Sequence, residues 1–326
     1  MKKYKILITT FPYGTTGNKP LELLNNSSWK IVNNPLGRRV KPKEVPELIK
    51  GYDAVIAGTE PYTEEAIKDS GIKLICRVGI GLDNIPLKFC KENGIKVTYT
   101  PDAPSQAVAE LALAQIINLS RYITNSNRSV REGAWNRYMG LLISELKIGI
   151  IGIGRIGKIL VKLLQPFNTE LLACDLYPDI EFGKKFNLKW YLKNEILEKA
   201  DVISLHIPNS KQNYHYIDRD AISKMKTGSY LINTSRGPII DEDALYDALS
   251  QNHLEGAALD VFNHEPYEGS LTRLNNVIFT AHMGASARGS RYLMELGAAE
   301  DCVRILNGKT PINNALTEEN ISQSKH

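Results

Sequence analysis

The segment Gly152-Ile153-Gly154-Arg155-Ile156-Gly157 follows an apolar, β-branched run, Lys147–Ile151, and opens a helical pattern that continues Lys158-Ile159-Leu160-Val161. Glycines at this spacing suit a strand-to-helix turn that cradles a pyrophosphate. The first permits the tight turn, the second lets the backbone approach the phosphates, and the third lets the helix pack closely on the strand. The helix N-terminus then presents unsatisfied N–H groups and a positive dipole end. The next strand pattern, Glu170–Cys174, ends in Asp175, 18 residues past the third glycine. A carboxylate there accepts from both hydroxyls of an adenosine ribose and repels a 2′-phosphate. No Lys or Arg within Leu176–Ile180 offsets that repulsion, so the pattern points to NAD and not NADP. Taken singly, each feature has a plainer use: the glycines in an ordinary turn, Asp175 as a cap. Strand, glycines, helix and acid in register favour the cofactor.

Further polar residues stand directly after strand patterns: His206-Ile207-Pro208, Asn233-Thr234-Ser235-Arg236-Gly237, Asp260, Glu265 and His282. In an open parallel sheet those positions lie at the carboxyl edge, where ligands bind. Each alone reads as a salt-bridging Arg, a structural His or a turn acid.

Their order is more specific. Asn233-Thr-Ser-Arg-Gly237, Ala258-Leu-Asp-Val-Phe-x-x-Glu-Pro266 and His282-Met-Gly-Ala-Ser286 resemble the three motifs of the D-isomer-specific 2-hydroxyacid dehydrogenases. With the glycine motif and Arg77-Val-Gly-x-Gly-x-Asp-Asn84, the resemblance covers nearly the whole chain. It implies hydride transfer between a nicotinamide and the second carbon of a small anionic 2-hydroxy acid. Arg236 would grip the substrate carboxylate and polarise the C2 oxygen, because a guanidinium offers two parallel donors to a planar anion. His282 would exchange the proton on that oxygen, with Glu265 pairing and orienting its ring. The resemblance places Ile80, Val108, Gly152, Gly154, Arg155, Ile156, Gly157, Asp175, His206, Pro208, Thr234, Ser235, Asp260 and Gly284 at the cofactor. It places Arg77, Val78, Gly79, Arg137 and Arg236 at the substrate, with backbone N–H groups of Val78–Gly81 offered to the carboxylate. Asp83 and Asn84 would brace that loop. No metal is implied.

Within the family the chain looks most like phosphoglycerate dehydrogenases: Arg77 before Val78-Gly79, the His-x-Gly-Ala-Ser form of the last motif, and Gly133-Ala-Trp135-x-Arg137-x-Met139-Gly140. The expected substrate is 3-phosphoglycerate with 3-phosphohydroxypyruvate, or a similar phospho- or phosphono-acid, with Arg77 and Arg137 as candidates for the second anion. As surface cations they are equally well accounted for. A glyoxylate or hydroxypyruvate reductase is an alternative. So is an NAD(H)-sensing corepressor-like binding protein on the same fold. A formate dehydrogenase is disfavoured, since Glu265 stands where that branch uses an amide. Three departures stand out: Ala281 replaces the usual Pro before the His, Pro86 stands where an acid is common, and the C-terminal regulatory domain of many phosphoglycerate dehydrogenases does not follow. Serine feedback through such a domain is therefore not expected.

These residues need a scaffold of parallel strands. Strand patterns occur at Lys5–Thr9, Ala54–Ala57, Leu74–Arg77, Lys96–Tyr99, Lys147–Ile151, Glu170–Cys174, Val202–His206, Tyr230–Asn233, Gly256–Leu259 and Val277–Thr280. Helical patterns such as Pro61–Ser70, Gly157–Leu164, Asp241–Gln251 and Ala287–Leu306 alternate with them. The alternation predicts an α/β chain of two doubly wound parallel-sheet domains, flavodoxin-like and Rossmann, with a cleft between them. Two strands running into glycine turns, at Ile75–Gly81 and Gly149–Gly154, form a faint internal echo of that design. The prolines of Thr100-Pro101-Asp102-Ala103-Pro104 mark one boundary, ahead of a long helix from Ser105 to about Tyr122. Gly284–Gly289 marks a second. Residues 1–102 with 288–326 then make the substrate-binding domain and 103–287 the NAD domain. The polar tail after Thr317 is expected to fray.

At 326 residues the chain has room for two cores. Its net charge of +4 is mild and dispersed, without a basic stripe or stacking aromatics, so no nucleic-acid partner is expected. The basic start, Met1-Lys2-Lys3, precedes an apolar run that stops at Thr9, too short for a signal peptide. No window approaches the roughly 18 apolar residues of a membrane span. Four scattered cysteines without a C-x-x-C motif read as reduced, cytoplasmic usage. The resemblance also implies a homodimer, with the helix from Gln106 and the segment Asn125–Leu142 as candidate contacts.

Overall fold

Residues 3–25 and 29–323 are described by a computed structural model of the chain. Met1 and Lys2 of the basic start lie outside the described residues. The chain divides into two compact units: Met1–Pro104 with Ala285–His326, and Ser105–Gly284.

The first unit carries β1 (Lys5–Ile8), β2 (Lys30–Asn33), β3 (Ala54–Ala57), β4 (Leu74–Arg77) and β5 (Lys96–Thr98), all parallel in the order β2-β1-β3-β4-β5. This is the flavodoxin-like order. Strands here are apolar on both sides because both faces are covered. Leu7, Val55, Ala57, Ile75 and Val97 join a core on one face. Ile6, Ile8, Ala54, Ile56, Leu74 and Cys76 join the core on the other. The helix Arg288–Leu306 covers that second face through Met294, Ala298, Ala299, Cys302 and Ile305. Buried Asp301 on that helix accepts N–H groups of Ile312 at 2.6 Å and Asn313 at 3.2 Å. It thereby steers the chain back to β5, where Ala315 N–H meets Val97 O at 2.9 Å.

The second unit adds β6 (Lys147–Ile151), β7 (Glu170–Cys174), β8 (Lys189–Trp190), β9 (Val202–Leu205), β10 (Ser229–Asn233), β11 (Leu254–Leu259) and β12 (Val277–Phe279). They lie parallel in the order β12-β11-β10-β9-β6-β7-β8. Counted within the unit, this is the Rossmann order extended by one strand. The helices Ser105–Arg121 and Arg155–Leu164 share one face, burying Ala109, Ala112, Ile116 and Leu119 with Leu160, Val161 and Leu164.

Two departures from the sequence expectation have simple causes. β2 and β8 lack a strand pattern because they are edge strands, short and only partly buried, so burial imposes little apolar bias. The tail does not fray after Thr317: a short helix, Glu318–Gln323, forms there. Thr317 Oγ1 caps it at Asn320 N–H, 3.2 Å, and Leu316 and Ile321 pack on the first unit's core. Among the described residues no helix is long and apolar enough to cross a membrane, and no group of His, Cys, Asp or Glu could hold a metal.

Candidate active site

The glycine motif sits at the carboxyl end of β6, beside β9 and β7. Gly152 adopts φ +97°, and a Cβ there would come within 2.6 Å of His206 O. A Cβ on Gly157 would lie 2.1 Å from Gly152 O. The protein's own backbone therefore demands the first and third glycines. At Gly154 a Cβ would meet nothing within 4 Å, so no packing contact of the chain requires that glycine. The space is open in front of the helix Arg155–Leu164, whose first-turn N–H groups have no partner within the helix. Ile156 is half-buried and Arg155 is exposed.

Asp175 braces this turn from β7. Its Oδ2 accepts Ile153 N–H at 2.6 Å and its Oδ1 accepts Tyr177 N–H at 2.9 Å. An ionised carboxylate has about four acceptor positions, so ribose hydroxyls can still be served. One nearby cation escaped the sequence reading: Lys158, a turn into the helix, reaches across to Asp179 at 2.5 Å.

β9 and β10 lie in register, so His206 and Thr234 leave adjacent strand ends. His206 Nε2 pairs with Ser204 Oγ at 2.9 Å, while its Nδ1 is sealed from solvent with no partner among the described residues. Thr234 Oγ1 and Asn209 Oδ1 are orphaned likewise, and Pro208, next to Asn209 in the chain, is exposed. Buried polar atoms without partners are costly. Orphans beside an open glycine turn fit a bound polar molecule such as the dinucleotide.

The loop after β10 is shaped by Asn233, whose role the motif alone did not disclose. Its Oδ1 accepts Ser235 N–H at 3.0 Å and Ser235 O–H at 2.7 Å, and its Nδ2 donates to Arg236 O at 2.8 Å. The available signal was an Asn followed two residues on by Ser, an Asx-turn pattern. Arg236 is half-buried, with Nη1 donating to Ser235 O at 2.7 Å. At Gly237 a Cβ would lie 2.0 Å from the Phe262 carbonyl carbon, so this loop presses directly on the loop after β11.

Asp260, buried at the end of β11, organises the next loop. Its Oδ1 accepts Thr280 O–H at 2.6 Å and Met283 N–H at 2.8 Å, and its Oδ2 accepts Gly284 N–H at 2.8 Å. His282 N–H donates to Asp260 O at 2.8 Å, and His282 itself is left-handed at φ +49°. Gly284 brings this loop against Val108, with a Cβ there 3.3 Å from Val108 Cγ2. His282 Nδ1 stands 2.8 Å from Glu265 Oε2 and 3.1 Å from Oε1. Burial pushes the Glu265 carboxyl up, but the hydrogen bond and charge of His282, Phe262 N–H and the Arg236 charge outweigh it, leaving it below the ordinary range. Arg236, Glu265 and His282, predicted from three separate motifs, are thus electrostatically linked.

In the first unit the loop after β4 is tied to residues of its own unit. Arg77 is buried and folds back on its own loop, Nε to Gly81 O at 3.1 Å and Nη1 to Val78 O. Val78 N–H goes to Ala57 O at 2.9 Å and Gly79 N–H to Thr100 Oγ1 at 2.8 Å. Those two donors are spent inside the unit, and the loop N–H groups that neither bond takes are those of Ile80 and Gly81. Asn84 braces the loop as expected, its Nδ2 donating to Gly58 O at 3.1 Å and Glu60 O at 2.8 Å. Arg137 lies on an exposed stretch of the second unit, and among the described residues no hydrogen bond or ion pair joins it to Arg236, Glu265 or His282.

Residues 113–284 match the family model of the D-isomer specific 2-hydroxyacid dehydrogenase NAD binding domain. The chain belongs to that family. It is 35% identical over 289 residues to a D-3-phosphoglycerate dehydrogenase of Methanocaldococcus jannaschii, covering 87% of this chain and 55% of that one. It thus spans about half the length of that relative. Against a glyoxylate reductase of Thermofilum pendens it is 33% identical, covering 82% of this chain and 83% of the other. A solved D-lactate dehydrogenase of Aquifex aeolicus, complexed with NAD and lactic acid, superposes with a TM-score of 0.85 at 26% identity, covering 96% and 99% of the two chains. The family's NAD binding domain is therefore the unit that carries the glycine turn and Asp175.

Burial holds the His206 ring neutral, with its pKa lowered to about 4 from 6.5. The unfolded chain therefore takes up this proton first as pH falls. The associated stability is intact above about pH 6.5 and lost on descent to about pH 4, by up to roughly 3 kcal/mol. Urea denaturation across that range checks this: in His206→Gln the stability curve should flatten by most of that amount.

Proposed function

We propose that the chain is an NAD-dependent oxidoreductase interconverting a small anionic D-2-hydroxy acid and its 2-oxo acid. The observation that carries the reading is the His282–Glu265 pair held beside the charge of Arg236. When bound, the nicotinamide supplies or takes the hydride. The residues that would hold the cofactor are the Gly152–Gly157 turn, Asp175 and the orphaned edge at His206 and Thr234. Val108, Pro208, Ser235, Asp260 and Gly284 flank them in the second unit. Arg236 grips the substrate carboxylate and draws electron density from the C2 oxygen. His282 uses Nδ1 on Glu265, which leaves Nε2 to give a proton to that oxygen in reduction and to take it in oxidation. Glu265, kept ionised by its surroundings, favours the imidazolium and fixes the ring.

The first unit is the substrate-binding one in this reading. A phosphorylated substrate needs a second cation, for which the sequence offers Arg77 and Arg137. Arg77 is engaged by its own loop, which favours unphosphorylated acids such as hydroxypyruvate and glyoxylate over 3-phosphohydroxypyruvate. A homodimer is supported by exposed apolar side chains on the stretch after the helix Ile123–Arg131: Trp135 is 77% exposed, Met139 93% and Leu142 59%. Sedimentation should give a dimer that Trp135→Glu with Met139→Glu converts to monomer; a wild-type monomer contradicts it.

Stopped-flow NADH oxidation with a panel of 2-oxo acids tests the activity. Turnover with NADH well above that with NADPH is expected, and His282→Ala should lower it about 10²- to 10⁴-fold. Protein that binds NADH yet reduces no member of the panel overturns the reading.

A further inference from the structure

The helix Glu242–Ser250 follows the Arg236 loop, and its N-terminus is capped by Asp241, whose Oδ1 accepts Asp243 N–H at 3.1 Å and Ala244 N–H at 3.0 Å. Glu242 is therefore not needed as a cap. An acid that serves only the helix dipole can stay in water, as the exposed Asp243 does. Glu242 is instead half-buried, and its Oε1 accepts Asn263 N–H from another loop at 2.8 Å. Burial pushes its carboxyl above the ordinary range, against the Asn263 hydrogen bond and the charge of His264, and the Asp243 charge adds to the rise.

Asn263 lies in the stretch 260–269 between β11 and the 3₁₀ turn Ser270–Arg273, which has no regular secondary structure. Gly237 presses on its peptide, since a Cβ there would lie 2.4 Å from Asn263 N. One residue back, Phe262 donates its N–H to Glu265 Oε1 at 3.2 Å and stacks on Tyr267, with ring centroids 4.4 Å apart. The peptide that Glu242 grips is thus the neighbour of the one that bonds Glu265, the partner of His282. We propose that Glu242 is a positioning residue: by fixing the Phe262–Asn263 peptide from the helix, it holds Glu265 at hydrogen-bonding distance from His282. A charged acceptor suits that task, because its hydrogen bonds are stronger than neutral ones. Every residue involved belongs to the second unit. The inference rests on the proposed acid–base role of His282.

The test is steady-state and single-turnover reduction of hydroxypyruvate, glyoxylate and pyruvate with NADH, in wild type, Glu242→Ala and Glu242→Gln. Glu242→Ala should lower kcat roughly tenfold to a hundredfold, the cost of a catalytic group slightly out of place. KM for the 2-oxo acid and the Kd for NADH should stay at their wild-type values. Glu242→Gln keeps an acceptor oxygen in the same place and should restore most of the loss. A merely structural Glu242 would lower stability in urea and leave the single-turnover rate of the folded enzyme unchanged. Should Glu242→Ala not fold, Glu242→Asp, which withdraws the acceptor, is expected to give the same split between kcat and KM. A wild-type kcat in a folded Ala or Asp variant, an equal loss in the Gln variant, or a loss that falls on KM or NADH binding overturns the inference alone. A wild type that binds NADH and reduces none of the three nor any wider panel member overturns the activity with it.

Discussion

The proposed chemistry depends on one buried carboxylate. Asp260 sits at the end of β11 and gathers three donors from the loop after β12. Its backbone N–H is held by Asn233 O at 2.9 Å, so the same residue connects the Arg236 loop to the His282 loop. Arg236 caps a single 3₁₀ turn, Gly237–Ile239, and the His282 loop has no regular secondary structure to fix it. The left-handed backbone at His282 is an unusual state for a non-glycine residue, and it persists where the surroundings over-determine it. Hydrogen bonds to a charged acceptor are stronger than neutral ones, which suits Asp260 to that task.

Around this anchor, rigid strands set the positions and short polar side chains set the directions. Asn233 folds its own loop so that Arg236 leaves β10 in a defined way. Gly237 allows that loop to touch Phe262, whose N–H in turn reaches Glu265 at 3.2 Å. The His282–Glu265 pair is thus coupled to the Arg236 loop through backbone contacts as well as through charge. On the cofactor side the same economy recurs: Asp175 braces the glycine turn while retaining acceptor capacity for a ribose.

Most of this was legible in the sequence. The central strands, buried on both faces, announced themselves as continuous apolar runs, and the polar residues after them fell at the ligand edge. Edge strands β2 and β8 did not, since half-exposed segments carry no such bias. What sequence could not show was where hydrogen bonds end. The resemblance made Arg77 a candidate for a second anion, with a surface cation as the equal alternative, and its guanidinium turns inward on its own loop. Val78 and Gly79 read as donors to substrate, but β3 and Thr100 take them.

Single-turnover NADH oxidation in Asp260→Asn, an isosteric change that sets an amide N–H₂ against backbone or hydroxyl donors, tests the role of Asp260 most directly. Hydride transfer should slow by roughly 10²-fold, the scale expected when catalytic groups lose their alignment. A rate within about twofold of wild type would show that Asp260 does not hold the catalytic loop in place, and would contradict the account.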